Sequence, residues 1–98
     1  MNNNQPTWQF RLYVAGDTPH SLTARANLEA ILKRLPEGQY QVEIVDILKQ
    51  PMRMFEDGVI VTPTLIKLSP LPGCQLMGSL SDTVRVLQAL EINEAQNE

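Results

Sequence analysis

The chain has 98 residues, one domain's worth, and its 43% apolar and 19% charged composition is that of an ordinary globular protein. A net charge of −3 and scattered basic residues argue against nucleic acid as a partner, and the single Cys74 excludes an intrachain disulfide or a multi-thiolate metal site. No run approaches the roughly 18–20 apolar residues that cross a bilayer, and the polar start Met1-Asn2-Asn3-Asn4-Gln5-Pro6 has no secretion-signal character, so the expected location is the cytoplasm.

Residues 1–7 read as a disordered leader to a domain over 8–92, with a polar tail over 93–98 that has nothing to bury. From Trp8 to Ala15 the pattern alternates, with Trp8, Phe10, Leu12 and Val14 on one face and Gln9, Arg11 and Tyr13 on the other. That is a strand with one face firmly buried. Gly16-Asp17 breaks it, and Thr18-Pro19 reads as an N-cap followed by proline in the first helical turn. Ala24, Leu28, Ile31, Leu32 and Leu35 then follow helical spacing until Pro36-Glu37-Gly38. Tyr40 to Ile47 is a second strand, with Val42 and Ile44 inward and Val45 and Ile47 opposite. Strand, helix, strand makes a βαβ unit with parallel strands.

Pro51 to Asp57 reads as a short helix ended by Gly58. Met52, Met54 and Phe55 there are expected to fill core first and to form an adaptable contact patch second. Thr62-Pro63-Thr64 opens a strand through Leu68, with Thr62-Pro63 expected to be cis. Pro70-Leu71-Pro72-Gly73 turns it, and Cys74 to Met77 closes a hairpin. Gly78 breaks the chain before a last helix with Ser81 as N-cap, Asp82 favourable at its positive end, and Leu80, Val84, Leu87 and Leu90 on one face. The order β-α-β-α-β-β-α is that of a thioredoxin-like α/β fold, a central mixed sheet with helices on both faces.

Enzymes of that fold keep thiols where the first helix begins, because the dipole lowers a cysteine's pKa there. Here the turn reads Gly16-Asp17-Thr18-Pro19-His20-Ser21, and Cys74 lies far along the chain, where a lone cysteine is usually a small buried hydrophobe. Asp17, His20 and Ser21 crowd one turn, but a nucleophile, base and orienter must converge from directions one turn rarely supplies. The plainer reading is that Asp17 and Thr18 cap the helix and His20 faces solvent. Asp46 caps the following turn or meets a partner, and Glu56-Asp57 reads as an exposed pair. The expectation is a non-enzyme with no catalytic, cofactor or metal site.

Several segments together resemble the KaiB family: Leu12-Tyr13-Val14-Ala15-Gly16, Thr18-Pro19, Asp46-Ile47-Leu48-Lys49, Pro51, Thr62-Pro63-Thr64-Leu65, Lys67 and Gly78-Ser79-Leu80-Ser81-Asp82. The resemblance implies a small adaptor of the cyanobacterial circadian oscillator that binds the hexameric ATPase KaiC, captures KaiA and engages clock histidine kinases. It also implies two folds, a tetramer of order β-α-β-β-α-α-β and a thioredoxin-like monomer that binds KaiC. Carried over by position, Thr18, Pro19, Arg25, Asp46, Lys49, Pro51 and Lys67 are the expected partner contacts, and Pro63, Gly78, Asp82 and Ala89 are the expected fold determinants. Ala89 stands where typical members have Gly, which favours a helix interior by roughly 1 kcal/mol. Glu94 replaces an aromatic residue, removing a tetramer contact. The thioredoxin-like state is therefore expected to dominate, as a monomer or weak oligomer. Basic residues of familiar members are missing at Thr23, Ala26, Gly58, Cys74 and Gln75, which marks the chain as divergent. That leaves two expected partners, a KaiC-type ring or a histidine kinase or other regulatory protein.

Overall fold

A computed structural model describes residues 6–92; the expectations for the first five residues, for the tail 93–98 and for Glu94 lie outside them. The elements are β1 (Trp8–Val14), α1 (Pro19–Leu32), β2 (Tyr40–Asp46), α2 (Arg53–Glu56), β3 (Thr64–Ser69), β4 (Cys74–Met77) and α3 (Thr83–Leu90). The fold is thioredoxin-like, as expected from the order. The sheet runs β2-β1-β3-β4, with β1 and β2 parallel and the β1–β3 and β3–β4 pairs antiparallel. The Thr62–Pro63 peptide is cis. Thr7 already belongs to the fold: its hydroxyl donates to Gln39 Oε1 at 3.0 Å and its carbonyl accepts from Ser69 Oγ at 3.0 Å.

Alternation along β1 sorts its side chains onto two cores. Phe10, Leu12 and Val14 join Leu65 beneath α1 (Ala24, Leu28, Ile31, Leu32) and α3 (Val86, Leu87, Leu90). Tyr13 joins Val45, Val59 and Ile66 on the other face, where Met54 of α2 packs. The second face of β1 is thus covered as well, with Tyr13 fully buried and Gln9 and Arg11 partly so. In β2 the emphasis is the reverse of the sequence reading. Val45 is completely buried, whereas Ile44 on the α1 face is 39% exposed, because β2 is an edge strand that α1 only partly covers.

Three local expectations are corrected. Thr18 sits at the N-cap of α1 without a side-chain capping bond; its hydroxyl instead donates to the buried Ser21 Oγ at 2.9 Å, which accepts the Ala15 amide at 3.0 Å. The α3 cap is Asp82, not Ser81: Asp82 Oδ1 accepts the Arg85 amide at 3.2 Å. The buried face of α3 is Val86, Leu87 and Leu90, while Val84 is 65% exposed. Shifting the cap by one residue rotates that face, and Leu80 reaches the core from the preceding loop with φ +64°.

Candidate functional site

Tyr13 pairs with Thr64, Thr64 pairs with Met77, and β1 runs parallel to β2. The C-terminal ends of β1, β2 and β4 and the start of β3 therefore share one end of the sheet. The segments 15–18, 47–52, 60–63 and 78–82 lie there, at the end where open α/β sheets present their sites. Gly16 turns the first of these at φ +56°, and a Cβ on it would stand 2.9 Å from Leu48 Cδ1, so the first two segments are in close contact. Asp46 Oδ1 ties them together by accepting the Gly16 and Leu48 amides, each at 3.0 Å. Pro63 is buried and its carbonyl accepts the Gly78 amide at 2.9 Å, with Gly78 at φ +108°, which joins the last two.

The turn into α1 carries no thiol at this end. Cys74 opens β4 at the far end, opposite Lys67, with its Sγ 3.6 Å from the Ala89 carbonyl. What the end offers is apolar surface. Leu48 and Met52 are each 70% exposed and Ile60 81% exposed, and Phe55 on α2 is 77% exposed. Met52 and Phe55 therefore do not fill core, contrary to expectation. One turn of helix presents a single side to the sheet, and Met54 takes it. Several large apolar side chains on adjoining segments are the pattern of a protein interaction surface.

On the outer face of β1 and β2 lies a charge network that the sequence reading did not assemble. Arg11 donates to Glu43 Oε1 and to Asp57 Oδ2, each at 2.8 Å. Arg53 binds Glu43 at 3.0 Å and Glu56 at 3.0 Å. The Tyr13 hydroxyl lies 2.5 Å from Asp57 Oδ2 and 2.8 Å from the Arg53 carbonyl. Burial and the Asp57 hydrogen bond push the Tyr13 phenol up to about 12. Burial opposes the charge on Asp57, but hydrogen bonds from Tyr13 and Arg11 outweigh it and hold the carboxyl below its ordinary value. Glu43 is also lowered, chiefly by its bond from Arg11. Asp57 is thus a half-buried anchor of α2 and not half of an exposed pair. The signal was present: Arg11 and Glu43 stand opposite each other in the parallel register.

Of the seven expected partner contacts, Thr18, Pro19, Lys49 and Pro51 are exposed at the loop end, and Asp46 beneath them is engaged in holding the loops. Arg25 lies apart, lining a groove of about 340 Å³ between α1 and β2 with Leu28, Tyr40 and Val42. Lys67 is corrected: it is 2% exposed, its ammonium donates to the Leu90 carbonyl at 3.1 Å, and it offers no charge to a partner in this state. Among the described residues, no cluster of three or more His, Cys, Asp or Glu is arranged to hold a metal ion, and no helix is long and apolar enough to cross a membrane.

Known proteins share both the sequence and the fold. The family pattern described as "KaiB domain" matches residues 11–92. The "Circadian clock oscillator protein KaiB" of Nostoc sp. is 41% identical over 92 residues, covering 94% of this chain and 85% of that protein. Its counterpart in Nostoc punctiforme is 43% identical over 86 residues, 88% of this chain and 83% of that one. Among solved structures, the N-terminal domain of Synechococcus elongatus SasA superposes with a TM-score of 0.73 at 23% identity, covering 96% of this chain and 91% of that one. Mitochondrial thioredoxin 3 of Saccharomyces cerevisiae superposes at 0.70 with 12% identity, over 90% and 80% of the two chains. These two likenesses concern the fold alone. The family pattern across residues 11–92 and the identity to the clock proteins place this chain in the KaiB family.

Proposed function

We propose that this chain is a non-catalytic adaptor that docks on a KaiC-type hexameric ATPase ring and thereby modulates a circadian clock or related signalling. The observation that carries this reading is the loop end of the sheet. Where a thioredoxin-like enzyme would hold its thiols, this chain presents Leu48, Met52 and Ile60 to solvent beside Thr18, Pro19, Lys49 and Pro51. Apolar anchors rimmed by polar groups suit a protein partner. Lys49 supplies a charge that speeds encounter with an acidic patch.

The test is co-elution of the purified chain with the KaiC-type ATPase of its own cell. A complex is expected, and Leu48→Glu is expected to weaken it. An ATPase that elutes unchanged while a histidine kinase or another regulator from that cell binds through the same residues would replace the proposed partner. Insulin reduction that disappears in Cys74→Ser would overturn the non-catalytic part.

A further inference from the structure

The last four carbonyls of an α-helix have no partner within it, and each that is buried costs stability unless another group donates to it. In α3 these belong to Leu87, Gln88, Ala89 and Leu90, and all four are satisfied. The Ile92 amide reaches Leu87 O at 2.9 Å and the Glu91 amide reaches Gln88 O at 3.1 Å, with Glu91 in the left-handed region at φ +63°. This is the Schellman arrangement, and Leu87 and Ile92 supply its apolar contact, both buried. The other two carbonyls are met from the sheet. Cys74 Sγ donates to Ala89 O at 3.6 Å, and Lys67 Nζ donates to Leu90 O at 3.1 Å. Lys67 and Cys74 are register partners on β3 and β4, so the two donors stand side by side on one face.

Lys67 is an unexpected residue for that place. Its face is otherwise the apolar core, and its ammonium is held by a carbonyl and by the ring of Trp8, whose centroid is 5.6 Å away. A buried ammonium is costly to desolvate, and a methionine of similar length would fill the space without that cost. What methionine cannot do is donate to Leu90 or complement the negative end of the helix dipole. The helix has need of such help. Eight residues are fewer than the roughly 12–15 at which an isolated helix becomes marginal in water, and only Val86, Leu87 and Leu90 of α3 are buried.

We propose that Lys67 and Cys74 form a side-chain clamp, with Lys67 the dominant donor, that sets how often the closing helix α3 comes off the sheet. The clamp trades global stability for retention of one element. The test is amide hydrogen exchange on the full chain, comparing α3 with β1. In Lys67→Met, α3 amides are expected to exchange about tenfold or more faster, the range for losing a hydrogen bond to a charged group, while β1 amides keep or gain protection. A common factor for both elements, or no change in either, overturns the proposal. Should the methionine variant fail to fold, Lys67→Gln provides the same comparison through a neutral donor, again with α3 selectively faster. Cys74→Ala removes only a weak S–H donor and is expected to change α3 by less than about threefold. A larger effect there than at Lys67 would overturn the ranking.

Discussion

The side chains that carry most consequence here are charged groups in places that ordinarily exclude charge. Arg11, half-buried on the α2 face, is tolerated because Glu43 and Asp57 both accept from it, and Asp57 is in turn completed by Tyr13. Asp57 and Glu43 bind protons more weakly in the folded chain than in the unfolded one. Below about pH 5 the unfolded state therefore takes up more protons, and unfolding free energy should fall as pH falls through that window. Denaturant titrations from pH 6 to 3 check this, and Asp57→Asn should give a flatter acid limb with lower stability at neutral pH. Tyr13 has the opposite sign. With its phenol pushed up to about 12, it stabilises the fold fully below the unfolded value and loses that contribution as pH rises toward the folded one. Tyr13→Phe should cost about 1–2 kcal/mol at pH 7 by urea unfolding, and should also remove its part of the alkaline decline.

At the scale of the elements, α3 is where sequence and structure can be weighed most finely. Its C-terminus uses Glu91 in a left-handed conformation that costs a side-chain-bearing residue roughly 1–2 kcal/mol. Glu91→Gly should raise the denaturant midpoint by an amount equivalent to about 1 kcal/mol. Ala89→Gly, two residues earlier in the last turn of the helix, should lower it by up to about as much. Opposite outcomes for the same new residue would establish that backbone conformation and not side-chain loss governs both. The element order is legible in the sequence because breakers (Gly16, Pro36, Gly38, Gly58, Gly78) separate the segments, of which those up to Ile47 also have clear periods. The face of α3 is not legible, since Val84 and Val86 both fit an apolar spacing and only the cap at Asp82 chooses between them. Lys67 looks like a surface charge in the sequence because its two carriers, Trp8 and the Leu90 carbonyl, come from elements 59 and 23 residues away. Arg11 and Asp57, 46 residues apart, are unconnected there for the same reason.

For the whole molecule, a thioredoxin-like frame carries no thiol in the turn into its first helix and exposes large apolar side chains at that end of the sheet. The sheet is covered on one face by α1 and α3 and on the other by α2 with Val59. Packing thus occupies the two faces, the strands pair along the sheet, and the loop end leaves Leu48, Met52 and Ile60 exposed; in the proposed reading that end is the docking surface. Leu48 and Ile60 contribute almost nothing to either core, being 70% and 81% exposed. Replacing them by charged residues should leave stability within about 0.5 kcal/mol, as for surface positions generally. If they anchor a docked ring, the same changes should weaken association by about tenfold or more, because apolar anchors at the centre of an interface carry most of its energy. Leu48→Glu and Ile60→Lys, followed by urea unfolding and by titration against the KaiC-type ATPase, separate the two quantities. Variants that bind as tightly as the parent would place the docking surface elsewhere, with the Arg25 groove beside β2 next in line. Variants that lose binding only in proportion to lost stability would mean that the loop end maintains the fold and displays nothing.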